Sequence, residues 1–193
     1  MNKIKRILTA AIVGCVIMFI WGAVSHMVLF IGSGFTPLPN EDEIIKTMEK
    51  SVHKEGLYLF PGKNFSQKSS PEQESAFNEK FQHGPVGILV YRPVGGNPLS
   101  PAKLLTQLAS NFLAALIAAF IVSLLIASYW KRVFVITLLG ALACVSVSVI
   151  YWNWYQFPNA FFFAQIADQV ACFFLAGLAI AKIVLQPEYI VRD

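Results

Sequence analysis

The chain has 193 residues, of which 56% are hydrophobic and 13% charged, too apolar a balance for a water-soluble domain of this length. Its net charge of +4 would suit a nucleic-acid ligand, but the placement of the charges removes that reading. Between Ser33 and Lys103 eight Lys/Arg stand against eight Asp/Glu, and the remaining basic residues, Lys3, Lys5, Arg6, Lys131, Arg132, Lys182 and Arg192, all lie beside the ends of apolar runs.

Four such runs, Ile7–Ile31, Leu104–Tyr129, Val133–Trp152 and Ala160–Leu185, decide the solvent. A bilayer core of ~30 Å needs ~20 apolar residues of helix to cross it. Only helices and closed barrels satisfy their backbone in lipid, and runs this long without alternation exclude barrel strands. The first run imitates an export signal: "MNKIKR" opens like a signal peptide, and "Ile-Val-Gly-Cys" at 12–15 resembles a lipoprotein cleavage box. The apolar run continues 16 residues beyond Cys15, where a lipoprotein would carry a polar tether, so the sequence predicts an uncleaved first helix.

That helix is expected to leave the bilayer near Gly32-Ser33-Gly34. "PNEDEIIKTMEKSVHKEG" then predicts an amphipathic helix with Asn40 as its N-cap, acidic residues in its first turn and Gly56 at its end. "LYLF" at 57–60 predicts a strand, and 63–70 a polar loop. A second helix starts at Pro71 and stops at Gly84, and "VGILVY" at 86–91 gives a second strand. The helix-turn-strand unit recurs, with Glu49-Lys50 and His53 matched by Glu79-Lys80 and His83. The second membrane helix follows Ser100-Pro101, the third begins after a Lys131-Arg132 hairpin, and Pro187 ends the fourth.

All seven of those basic residues flank one side of such a bundle, whereas the short loop 153–159 carries none. By the positive-inside rule both termini are cytoplasmic and 33–103 is external, periplasmic in a bacterial inner membrane. The expected fold is an all-α membrane protein: a four-transmembrane-helix bundle with a small external α+β insertion between helices 1 and 2. Its segments are 1–32 (cytoplasmic N-terminus and first helix), 33–103 (external domain), 104–186 (helices two to four) and 187–193 (cytoplasmic tail).

Asp168 is the costliest residue for a bilayer, since a carboxylate at a helix centre costs ~2.5–3.5 kcal/mol on insertion scales and calls for an interior position with a partner. His26 falls near the same end of the first helix. Gln107, Asn111, Ser148 and Gln165 fall in the same leaflet, and the opposite leaflet is nearly free of polar groups. The sequence therefore predicts a polar cluster of His26, Gln107, Asn111, Ser148, Gln165 and Asp168, with His26 and Asp168 as a pair. Phosphate loops, HExxH and GxSxG are all missing. With three cysteines inside predicted spans, neither a disulfide framework nor a zinc spacing exists. A lone intramembrane histidine does not make a bis-histidine haem site. No metal or cofactor is expected.

These features favour a non-enzymatic envelope protein, set in the lipid bilayer, whose residues 33–103 engage a partner or ligand. The alternative is a small oligomeric transporter or membrane enzyme using the outer-leaflet polar cavity.

Overall fold

The computed structural model describes residues 2–31, 35–63 and 66–184. The expected helix exit at Gly32–Gly34, the stop at Pro187 and the tail 187–193 lie outside them. The described elements, in order, are α1 (Lys3–Met27), α2 (Glu41–Ser51), β1 (Gly56–Phe60), α3 (Pro71–His83), β2 (Gly87–Tyr91), α4 (Pro101–Ser123), α5 (Tyr129–Tyr155) and α6 (Asn159–Val184). The protein is mostly helical with one small two-stranded sheet, and α1, α4, α5 and α6 are long and apolar enough to cross a membrane. At most 28% of each helix's most apolar window is buried by protein. Such helices turn most of their apolar surface outward, which a soluble core helix does not do.

The chain divides into two compact units, residues 1–35 with 98–193, and residues 36–97. In the first, α1 packs along both α4 and α6, and α6 also packs along α5. Neighbours in sequence are not all neighbours in space: α4 and α5 touch only weakly although residues 124–128 join them. Size complementarity explains the choice. Gly140 of α5 receives the Phe173 side chain of α6, and Gly177 of α6 receives Ile136 of α5. The Tyr129 hydroxyl then donates to the Leu178 carbonyl at 3.0 Å. On α4, Ala115 and Ala119 are fully buried, with Ala115 set beside Gly14 of α1. Small residues let helix backbones approach where lipid leaves no hydrophobic drive between helices.

Several helix ends differ from the hydropathy reading, because hydropathy reports solvent and not backbone; α4, for one, stops at Ser123, six residues before its apolar run ends. α1 stops at Met27, four residues before its apolar run ends. The chain then wraps back, with Leu29 N donating to Val24 O at 2.9 Å and Ile31 N to Ser25 O at 2.9 Å, through Phe30 at φ 54°. α5 begins at Tyr129, so Lys131 and Arg132 lie in its first turn and form no hairpin loop. Arg132 is only 2% exposed. Its Nη1 donates to Val122 O at 2.6 Å, Nη2 to Leu125 O at 2.7 Å and Nε to Ala127 O at 2.9 Å. The last carbonyls of a helix have no partner within it, and one guanidinium serves the end of α4 and the connection after it.

In the second unit β1 and β2 pair antiparallel, with Gly56 opposite Tyr91 and Phe60 opposite Gly87. The centre of the ladder is the Tyr58–Leu89 pair. Gly56 opens β1 and does not close α2, which stops at Ser51. Asn40 precedes α2 as expected, but in a left-handed conformation with no side-chain capping bond; its carbonyl instead accepts from Glu43 N at 3.1 Å. α3 starts on a capping box between Ser70 and Gln73. The Ser70 hydroxyl beside Glu72 holds that carboxyl below its ordinary pKa. Neither α2 nor α3 buries a residue.

Candidate intramembrane polar site

Asp168 sits nine residues into α6, ~13 Å along the axis from its first residue at 1.5 Å per residue. Antiparallel packing brings the last two turns of α1 against it. The Trp21 indole donates to Asp168 Oδ1 at 2.8 Å and also approaches the Asp168 carbonyl at 3.2 Å. His26 Nε2 lies 3.7 Å from Asp168 Oδ2, too long for a hydrogen bond but within ion-pair range. One carboxylate oxygen is thus fixed by an indole, and the other faces an imidazole with a gap between them. The Asp168 side chain is 13% exposed and that of His26 49%. Because α1 ends at Met27, His26 occupies its last turn, not a position more than a turn deep. The α6 N-terminus runs on past the end of α1, which is how two residues at unequal depths on their own helices meet.

These groups line one cavity of about 610 Å³ enclosed mainly by α1, α4 and α6. From α4 it receives Gln107, Ser110 and Asn111, and from α6 Gln165, Gln169 and Cys172. Gln107 Nε2 donates to Asn111 Oδ1 at 2.9 Å, one helical turn apart, so these two amides orient each other. No buried side-chain nitrogen or oxygen among the described residues lacks a hydrogen-bond partner. Five of the six residues expected to cluster therefore share the cavity: His26, Gln107, Asn111, Gln165 and Asp168. Ser148 does not. It faces a separate, largely aromatic hollow between α5 and α6, with Tyr151, Trp152 and Phe162, and its hydroxyl lies 3.4 Å from Cys144 Sγ. Gln165 reaches both spaces. The reason is the packing order: α5 contacts α6 on the face away from α1, so only Ala143 of α5 reaches the cavity.

Sequence reasoning missed Trp21, an aromatic in an apolar run with no polar neighbour in sequence to mark it. The available signal was chemical, since Trp is the one large apolar side chain with a strong donor and a buried carboxylate needs one. Gly22, one turn before His26 on α1, leaves open space along the cavity wall.

Among the described residues no group of three or more His, Cys, Asp or Glu is placed to hold a metal ion. One carboxylate, one imidazole and four amides make a surface that exchanges hydrogen bonds. The carboxylate and the amide oxygens favour a ligand that brings donors. Comparison with family models, with curated proteins and with solved structures gives no match.

Proposed function

We propose that this is a non-enzymatic multi-pass membrane protein that binds, in the α1–α4–α6 cavity, a ligand carrying an ammonium or hydroxyl donor. The observation that carries this reading is the Asp168 carboxylate, fixed at one oxygen by Trp21 and open towards His26 at the other. A carboxylate inside an apolar bundle is expensive, and a ligand donor between it and the imidazole offsets that cost. The cavity wall is part polar and part apolar, which suits an amphiphile. Both termini are cytoplasmic in this proposal, and residues 33–103 are periplasmic at a bacterial inner membrane. The support is the cation distribution: Lys3, Lys5, Arg6, Lys131, Arg132 and Lys182 all sit at the bundle end opposite the cavity.

Cys172 lines the cavity and supplies a native reporter. In a Cys15→Ala/Cys144→Ala background, a water-soluble methanethiosulfonate reagent should modify Cys172. Octylamine should slow that reaction several-fold, octanoate should not, and Asp168→Asn should abolish the protection. Equal protection by amine and carboxylate would overturn the proposal. Orientation is read separately in a cysteine-free variant, with a reporter cysteine at Ser69 or at the exposed Lys131, since Arg132 is buried. An impermeant reagent added outside should reach only Ser69.

A second reading places function in residues 36–97, engaging an envelope partner. Its support is that neither helix of this unit buries a residue while Leu57 and Val90, paired across the sheet, stay 71% and 79% exposed.

A further inference from the structure

Asp168 has a polar neighbour on its own helix face. Gln165 stands three residues before it on α6, a spacing that sets side chains side by side with ~5–6 Å between Cβ atoms. Both line the cavity shared with α1 and α4. Gln165 is half-buried, and its amide makes no hydrogen bond with any described residue. An amide held in an apolar bundle without a partner forfeits the hydrogen bonds that water would supply. The other polar side chains of the wall are placed differently. Gln107 and Asn111 engage each other on α4, and Ser110 also belongs to α4. Gln169 follows Asp168 directly in sequence, and consecutive helical residues do not face one another. The carboxylate oxygen open towards His26 and the Gln165 amide are therefore two adjacent points of attachment.

We infer that the ligand's polar end is a neutral hydroxyl on the carbon next to its ammonium, making it an amphiphilic amino alcohol. The inference rests on the amine-binding reading of this cavity and names the class of amine. The ammonium meets the Asp168 carboxylate, and the hydroxyl meets Gln165. A hydroxyl both donates and accepts, so it pairs with an amide in either orientation. A carboxylate or phosphate in that place is disfavoured, because it would stand beside Asp168 while the described wall offers no Lys or Arg. Met18, Phe19, Ala114 and Phe173 supply apolar wall for the tail.

The test displaces tritium-labelled octylamine from the full-length protein in detergent, with Asp168→Asn as the blank for uptake by the micelle. 1-Amino-2-octanol keeps the amine and the chain and adds one hydroxyl. It should compete about fivefold more tightly than octylamine, as one added neutral hydrogen bond allows. That order runs against micelle uptake, since a hydroxyl weakens partition into apolar surroundings. 2-Aminooctanoate, with a carboxylate beside the amine, should compete more weakly than either, and tighter binding by it would overturn the neutral group. Gln165→Met, or Gln165→Ala should the first not fold, should bind octylamine as the parent does and lose the advantage of the hydroxyl. Ser110→Ala should keep that advantage. If octylamine binds the parent but the hydroxyl adds nothing, the amino alcohol falls and the amine site stands. If octylamine shows no binding that depends on Asp168, the amine site falls and the amino alcohol with it. A Gln165 variant that binds octylamine and still prefers the amino alcohol would overturn Gln165 as the hydroxyl's partner.

Discussion

The same three helices, α1, α4 and α6, behave differently in their two halves. In one half Ala10, Ala11, Ala115, Ala119, Ala176 and Ala181 are fully buried, and Gly14 admits Ile180 so closely that a Cβ there would stand 2.7 Å from its Cδ1. In the other half the facing positions are Gln107, Asn111, Gln165 and Asp168, and a cavity of about 610 Å³ opens. Side-chain size at the contact sets how near two helices come, and polar side chains must also reach partners. A helix pair can therefore be tight where it is small and apolar and parted where it is polar. The tight half holds the geometry, and the open half is left free to meet a ligand.

The largest expected effect lies in the tight half. Arg132→Met should destabilise the protein by ~3 kcal/mol or more, because three carbonyls lose a charged donor and each unsatisfied buried group costs ~1–3 kcal/mol. Reversible unfolding in mixed micelles measures this, and a loss below ~1 kcal/mol would mean that water serves those carbonyls and the end is not closed. Gly140→Ala comes next. Its Cβ would stand 2.6 Å from Phe173 Cβ and 3.0 Å from the Gln169 carbonyl, neither of them a yielding side-chain tip. Overpacking of this kind costs ~1–3 kcal/mol, and the same unfolding assay reads it.

Much of this contrast is legible in the chain, for a physical reason. Bilayer solvation demands ~20 apolar residues per span, so the four spans announce themselves, and a carboxylate among them is conspicuous. Asp168, Asn111 and Gln107 stand out because they break an apolar background. Trp21 does not break it, and its donor becomes visible only when α6 is set alongside. Ser148 shares the leaflet but not the cavity, because depth follows from sequence position whereas the facing direction depends on which helices pair. Arg132 illustrates the limit from the other side. Its charge places it at a helix end, yet whether a guanidinium faces water or the carbonyls of another helix depends on where α4 stops, and apolar composition continues past that point.

In the open half, Asp168→Asn should leave the fold intact and change what the cavity binds. The amide keeps a carbonyl oxygen for the Trp21 indole and removes a charge whose burial is costly, so stability should stay within ~1 kcal/mol of the parent. Protection of Cys172 by octylamine should vanish. A well-folded variant that keeps full protection would show that the carboxylate is not what the amine meets, and the two halves would then differ in packing but not in role.

The smallest effect is the sharpest, because it sets one residue type against itself on one helix. Gly14 and Gly22 both belong to α1. A Cβ at Gly14 would come within 2.7 Å of Ile180 Cδ1 and 3.0 Å of Ala115 Cβ, whereas one at Gly22 meets nothing within 4 Å. Gly14→Ala must displace the Ile180 tip and press on Ala115, and Ile180 is fully buried with little room to turn. That substitution should lower stability despite the better helix propensity of alanine. At Gly22 the propensity gain, ~0.5–1 kcal/mol in an unobstructed helix interior, has no opposing contact, so Gly22→Ala should be neutral or slightly stabilising. The new methyl occupies cavity wall, so Cys172 modification by the methanethiosulfonate reagent should slow modestly while the fold holds. Paired unfolding curves for the two variants test the sign directly. If Gly22→Ala destabilises as much as Gly14→Ala, the helices close over that half as tightly as over the other, and the cavity is not a space the protein keeps open.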